Sequence, residues 1–581
     1  MTEHRTTAKI HRTIFQLILC ALFATAAAGS SARADDRSDS LYYEVNKSLM
    51  VFGDLFRQVN SNYVDDVEPD EMLRRGLDGM LEYLDPYTTY ISNDESDQVD
   101  MLTKGFYGGL GVTIADINGE TTVVDVAEGY AADDAGIRIG DKIYMIDSVV
   151  VLHSDHQELR QYTRGEAGSE LTAHIIREGR ADTLVLHLKR EKIQMRTVSY
   201  SGFLGGSNAD GITGEVEEGD IGYIKLDRFA RGANAQFRQA LDDLKRRKPM
   251  KGLIVDLRGN PGGLLDAAVS ISEIFVPTGS QIVSTRGRSP LAGKEYVARG
   301  IPKEPELPLV ILIDKGSASA SEIFAAAIQD LDRGVLVGER SFGKGLVQTI
   351  SSLPFEATLK MTTARYYTPS GRCIQRIKYE EQRAHHDDHA TEPIDSIVFY
   401  TQGGRPVYES NGIRPDVNVS SEPASAYVRE LKDGHMLFRF GTRYSARLEE
   451  LPQNFHADRD ALRQFEAFLE EEHFVHDSDI LSAIEMLEEK FAADVDFQHF
   501  SPRMQTLRDD LATLRTSMIE RHADEVLTEL DREISARFLT RAERIAAGLG
   551  DDPQVQTAVD ILNDQERYGK ILDLTVADGE R

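Results

Sequence analysis

Three apolar runs, each closed by a Gly- or Ser-rich turn, constrain the stretch from Lys251 to Arg376 more than any other feature constrains the chain: KGLIVDLRGNPGGLL, LVILIDKGSASASEIFAAAI and VLVGERSFGKGLVQ. Leu253 to Leu257 and Leu309 to Ile313 lack polar alternation, as strands covered on both faces do. Val335 to Val337 makes a third strand. After the first turn Leu264, Ala268, Ile271 and Phe275 recur at helical spacing; after the second, Ala320, Ile323, Phe324, Ala327, Ile328 and Leu331 do so. Repeated strand–turn–helix units predict a layered α/β core. Pro290, Pro302, Pro305 and Pro308 mark an intervening loop, and a strand in KMTTARYYTPSG closes the region.

The turns carry the chemistry. Ser319 lies between a strand and a helix, where backbone N–H groups and the positive end of the helix dipole converge. Ser319-Ala-Ser-Glu322 is also a capping box, in which the serine only starts a helix. A candidate base stands 25 residues on, at Lys344 between Gly343 and Gly345. Gly338 to Lys344 imitates a P-loop, but Gly345 replaces its hydroxyl residue and the following segment is strand-like. Ser341-Phe-Gly-Lys344 imitates S-x-x-K, which needs a helix that flanking glycines disfavour. No histidine occurs between His187 and His385, so a Ser-His-Asp triad has no base in this region. A Ser319 nucleophile therefore pairs most simply with Lys344. Its amine, at ~10.4 when unperturbed, must be brought near ~7–8 to act as a base, a shift of roughly 3–4 kcal/mol supplied by apolar burial. Phe342, Leu346 and Val347 offer that wall, and Gln348 offers the amine a hydrogen bond.

Around this core the chain changes character several times. Residues 1–34 read as an export signal: Arg5, Lys9 and Arg12, an apolar run from Ile14 to Ala28, and Ala32-Arg33-Ala34 as the cleavage site. Cleavage after Ala34 implies an exported, periplasmic product; an uncleaved membrane anchor is the alternative. Residues 35–92 are helical, with stripes at Leu49, Phe52, Leu55, Phe56 and Val59, and again from Met72 to Leu84. Residues 93–192 are short strands with glycine turns. Gly108 to Val112 opens one strand and forms a nest of N–H groups suited to a terminal carboxylate. With ADDAGIRIGDKIYMID after it, this segment resembles a PDZ domain of bacterial proteases, whose edge takes a substrate tail as an added strand. Gly109, Leu110, Gly111 and Val112 are its candidate contacts. Residues 193–424 hold the core. Residues 425–581 are acidic and helical, with stripes such as Ile480, Ile484, Leu487 and Phe491, and suit substrate gripping or homo-oligomer formation. His385, His386 and His389 beside Asp387 and Asp388 read as a solvated loop rather than a metal site. A net charge of −30 excludes nucleic acid as the main partner. Without Cys20 of the signal, Cys373 has no disulfide partner in the chain.

GLGV, DLRGNPGG, GSASASEI, GERSFGKGLVQ, TPSGR and GIRPDV, in this order, resemble the carboxy-terminal processing (tail-specific) proteases over roughly residues 41 to 420. The resemblance implies a multidomain α/β protein: a crotonase-like layered catalytic core with an inserted PDZ-like β domain, an N-terminal helical cap and a C-terminal helical domain. It implies Ser319 as nucleophile, Lys344 as base and Gln348 as its support. The oxyanion donors fall on the N–H groups of Ala320 and of the Gly262-Gly263 turn. Substrates would be proteins or peptides with accessible C-termini, with no cofactor and no metal, and an adaptor protein is a candidate partner. A PDZ scaffold with an inert core is the competing expectation.

Overall fold

The computed structural model describes residues 42–92, 104–204, 219–377, 397–474 and 518–572, apart from 155, 410, 421–423 and 454, together with a few isolated positions between these segments. The signal at 1–34, the histidine stretch at 385–389 and the stripe from Ile480 to Phe491 lie outside the described residues. The chain divides into two units, one up to Tyr90 and one from Ile91. In the first, α1 (42–62) and α2 (Pro69–Glu82) form where the apolar periodicity predicts them. The stripe on α1 does not enter a core: Leu49, Phe52 and Leu55 are exposed.

The second unit begins with an antiparallel β domain. β1 (Phe106–Gly109) leads into β2 (Val112–Ile117), β3 (Glu120–Val126) and β4 (Lys142–Ile146). Helix α3 (His156–Thr163), β5 (Glu170–Ile176), β6 (Leu184–Lys189) and β7 (Glu191–Gln194) follow. The main sheet runs β2-β3-β4-β5-β6, which leaves β2 at an edge; β1 pairs separately with β7. Val123, Ile143, Ile146, Leu171 and Ile175 fill the interior.

The core sheet is built from β8 (Val198–Leu204), β9 (Ile221–Leu226), β10 (Gly252–Asp256), β13 (Leu309–Ile313), β14 (Val335–Gly338) and β17 (Val417–Asn418), in that spatial order. Only the β8–β9 pair is antiparallel. Between them come α4 (Ala233–Arg247), α5 (Leu265–Ser272) and α6 (Ala320–Asp330). A second antiparallel sheet joins β11 (Gln281–Arg286), β12 (Lys294–Val297), β15 (Leu346–Ser352) and β16 (Thr358–Tyr367). β12, preceded by a 3₁₀ turn from Pro290 to Ala292, lies within the proline-spaced segment expected to be loop, whereas residues 301–308 carry neither helix nor strand, as expected.

Side chains alternate across the core sheet, as a period of two requires. Ile224, Leu253, Val255, Leu309, Ile311 and Leu336 face α4, α5 and α6. Tyr223, Ile254, Val310, Leu312, Val335 and Val337 face the other way. That second face is covered by residues from the far end of the sequence. Of the C-terminal helices, α7 (Ala426–Asp433), α8 (Met436–Ser445), α9 (Arg459–Glu471) and α10 (Ala523–Ser535) share a core of their own around Phe440, Phe465 and Val526. By contrast α11 (Arg541–Gly548), α12 (Pro553–Asn563) and α13 (Gln565–Leu572) lead Leu549, Val555, Ala558, Ile561, Leu562 and Tyr568 onto this second face of the core sheet. The Tyr568 hydroxyl accepts the Leu309 N–H at 3.0 Å. The β domain touches the same helical region: Gly140 packs so closely on Thr442 of α8 that a Cβ there would collide with it. Arg544 of α11 bonds Asp125, and Arg541 meets Asp227 of the core at 2.7 Å.

Leu562 is fully buried against Gly252 of β10. Leu562→Ala is expected to destabilise the protein by about 2–5 kcal/mol, seen as a lower denaturation midpoint by circular dichroism.

Candidate active site

Ser319 sits at the sharp turn between β13 and α6 with φ 55 and ψ −112. A positive φ at a residue with a side chain costs about 1–3 kcal/mol and persists only where its surroundings impose it. Here the Ala318 N–H donates to Asn260 O (3.0 Å). The Ser319 N–H donates to Glu322 Oε2 (2.8 Å), and the Ser319 carbonyl accepts the Ile323 N–H (3.0 Å) and the Tyr366 hydroxyl (3.2 Å). The cap pairing of Ser319 with Glu322 is thus present, and it belongs to a larger arrangement.

Glu322 is completely buried on α6. Besides Ser319, its carboxylate accepts the Ser341 hydroxyl (2.6 Å), the Gly343 N–H (2.8 Å) and the Lys344 N–H (2.9 Å). Burial pushes this carboxyl up, and the four hydrogen bonds offset that only in part. On the carbonyl side the Tyr366 hydroxyl donates to the Lys344 carbonyl as well as to that of Ser319. Two bridges therefore hold the serine turn against the lysine turn. The segment from Ser341 to Gly345 is non-helical and runs into strand β15, as neither S-x-x-K nor P-loop geometry would have it. Leu346 is buried near Lys344 in sequence and Val347 packs on the main core, whereas Phe342, expected in the same apolar wall, is 43% exposed. Gln348 stands on β15 after a bulge, its Nε2 donating to Thr362 Oγ1 at 3.3 Å.

The glycine turn meets the serine turn directly. Gly262 has φ 94, and a Cβ there would lie 2.5 Å from Ala318 O and 2.7 Å from Ala320 N. Gly263 has φ 141 against Phe229 O. No side chain is tolerated at this approach. The Gly262 N–H donates to Asn260 Oδ1 (2.9 Å), so the expectation that it serves an oxyanion gives way to a different use. Among the described residues no acceptor meets the N–H of Gly263 or of Ala320. Asn260 is the buried pivot: its Nδ2 donates to Leu226 O (2.7 Å), and its carbonyl takes Ala318 N–H and Ser321 Oγ.

Behind the turn lies a buried charge cluster. The Asp256 carboxylate meets Lys225 Nζ (3.2 Å), Arg258 Nη2 (2.8 Å) and the Tyr223 hydroxyl (2.6 Å). Burial alone would raise this carboxyl, but Lys225 and Arg258 outweigh it and hold it well below the usual carboxylate range. In the β domain, Gly109 ends β1, Leu110 is buried in the domain core at 4% exposure, and Gly111 takes φ 85. The Leu110 side chain therefore packs into the domain core, while Val112 opens the edge strand β2, beside which α3 packs. The Leu110 and Gly111 carbonyls accept Ala132 and Ala127 N–H, and among the described residues their own N–H groups have no acceptor.

Sequence reasoning missed Asn260, Tyr366 and three of the four donors on Glu322. S-x-x-E announces only the cap; partners from residues 341–344 and β16 meet it solely through the fold.

Residues 220–382 match the peptidase family S41, residues 108–188 the PDZ domain, and residues 427–562 a "probable PDZ-protease, C-terminal helical domain". The chain is 37% identical over 334 residues to a carboxy-terminal-processing protease of Bartonella bacilliformis, covering 57% of this chain and 73% of that one. It is 30% identical over 368 residues to a carboxy-terminal processing protease of Bacillus subtilis, covering 63% and 74%. A solved photosystem II D1 C-terminal processing protease aligns at 26% identity over 64% of this chain and 93% of that chain, with a TM-score of 0.34.

Asp256 is held ionised by its cationic partners, so its stabilisation is present above the unfolded pKa of ~3.9 and is lost as pH falls below it. Asp256→Asn is expected to cost on the order of 3–5 kcal/mol near neutral pH by leaving buried cations uncompensated. That gap to wild type should stay level from pH ~7 to ~5 and narrow only as pH falls below ~4, in denaturation curves taken from pH ~7 to ~2.

Proposed function

The chain belongs to the carboxy-terminal processing proteases, serine peptidases that carry a PDZ domain, and on that premise we propose that Ser319 and Lys344 form its catalytic dyad. The reading is an exported endopeptidase that cleaves proteins near or from their C-termini, on a crotonase-like core. The observation that carries it is the pair of bridges, Glu322 across the two N–H groups and Tyr366 across the two carbonyls, which ties the serine turn to the lysine turn.

Neutral Lys344 takes the Ser319 proton as Oγ attacks the scissile carbonyl. The N–H groups of Ala320 and Gly263 receive the oxyanion, each donor being worth about 3–4 kcal/mol in the transition state. Gly262 serves by shape, since its N–H is engaged by Asn260. The lysinium then protonates the leaving amine, and water resolves the acyl-enzyme. Gln348, with its Nε2 spent on Thr362, keeps Oε1 to accept from the amine. The strained backbone at Ser319 supports a nucleophile over a plain cap, because an ordinary cap residue sits in the β region.

The PDZ domain delivers the substrate. The N–H groups of Leu110 and Gly111 receive its terminal carboxylate, and the edge strand β2 takes its tail by strand addition. Export rests on the basic, apolar and small-residue succession of residues 1–34.

Casein digestion by wild type, Ser319→Ala and Lys344→Ala tests the dyad. Ser319→Ala should leave background cleavage, and Lys344→Ala should lose on the order of 10²–10⁴ in kcat; retained cleavage by either variant sinks the assignment. Amidating the C-terminus of a peptide substrate should raise KM on the order of tenfold or more, as loss of charged hydrogen bonds implies. An unchanged KM would remove carboxylate capture.

A further inference from the structure

The turn beside Ser319 is anchored from a part of the chain that no step of the mechanism uses. We propose that Asp552 and Gln554, where α12 begins, are positioning residues for catalysis: they fix the Arg258 guanidinium, and through it the turn from Arg258 to Gly263. The inference rests on the reading of Gly263 and Ala320 as oxyanion donors.

Arg258 divides its guanidinium between two elements. Nε and Nη2 lie on Asp256 at the end of β10, Nε at 3.0 and 3.1 Å and Nη2 at 2.8 Å. Nη1 donates to Asp552 Oδ2 at 2.5 Å and to Gln554 Oε1 at 3.0 Å. Its backbone is held as firmly: the N–H by Asp256 Oδ1 (2.8 Å) and the carbonyl by Lys225 Nζ (2.7 Å). The next residue, Gly259, gives its N–H to Asp314 Oδ1 (2.9 Å), and Asn260 then orders Gly262. These contacts stand in for the ladder that a turn lacks. Burial would lower the Arg258 guanidinium, yet Asp256, and Asp552 after it, keep it more basic than usual.

The far partners are themselves fixed. Gln554 is 2% exposed, and its Nε2 donates to Val419 O (2.7 Å) just past β17. Asp552 gives its two oxygens different tasks. Oδ1 accepts the N–H groups of Gln554 (2.9 Å) and Val555 (3.2 Å), which caps α12, and Oδ2 alone meets Arg258. A cap-only role would be structural and would leave turnover per folded molecule untouched.

Asn caps a helix about as well as Asp, so Asp552→Asn keeps the Oδ1 task and sets an amide against the guanidinium. In the full-length protease, with turnover normalised to the folded fraction, Asp552→Asn should lower kcat on a peptide substrate by roughly tenfold or more and leave KM within about twofold. Gln554→Met, close to isosteric, should shift kcat in the same direction. Asp458→Asn, at the cap of α9 and outside the site, should leave both constants unchanged. Wild-type kcat in folded Asp552→Asn and Gln554→Met overturns the inference while the dyad stands, as does a fall in activity that only tracks the unfolded fraction. Should Ser319→Ala cleave like wild type, the dyad reading itself fails and this inference with it.

Discussion

Four donors meet on the buried carboxylate of Glu322, and the geometry of the site follows from how few groups can satisfy them. An ionised carboxylate accepts at four positions and donates at none, whereas an amide in its place would turn one donor against another. The N–H groups come from Ser319, Gly343 and Lys344, and the hydroxyl from Ser341. One side chain on α6 therefore sets the distance between two loops that sequence separates. The strained dihedrals of Ser319 are stable because this carboxylate, Asn260 and Tyr366 leave the turn no other arrangement. Tyr366 repeats the device on the carbonyl side, so the two turns are gripped through both halves of their peptide groups.

The sheet beneath has two apolar faces, and each needs a cover. Helices α4 to α6 cover one, and they include the helix that follows the Ser319 turn. The other is closed by α12 and α13, so the C-terminal region is two things at once: a separate helical core around Phe465 and a structural layer of the protease. Helix α11 adds charge contacts on both sides, with Asp125 of the PDZ domain and Asp227 of the catalytic core. Substrate-binding and catalytic parts are thereby tied to a common support.

Much of this was legible in the chain. The apolar runs at Leu253 and Leu309 announced central strands, and Ala320 to Leu331 announced the helix that follows the second, because burial on every side leaves no room for polar alternation. The glycines at 262 and 263 announced a close approach, though the use of the Gly262 N–H by Asn260 did not show. What stayed hidden was long-range pairing. The strands β11 and β12 were obscured by the prolines beside them, and nothing in the sequence showed that the Leu110 side chain packs into the domain core. Nothing near Arg258 points to Asp552, and nothing in the stripes of the C-terminal helices says that Val555 and Ile561 belong to a sheet rather than to one another. Such partners are chosen by shape and charge in three dimensions, and local periodicity carries no record of them.

The covering of the second sheet face has a consequence for how the molecule comes into being. All six strands precede residue 419, while the helical side chains that seal Ile254, Val310, Leu312 and Val337 begin at Ile545. A chain emerging from its N-terminus thus makes every strand of the catalytic sheet long before it can close it. Until the last helices arrive, the sheet presents bare aliphatic surface, the kind of intermediate that needs shielding from association.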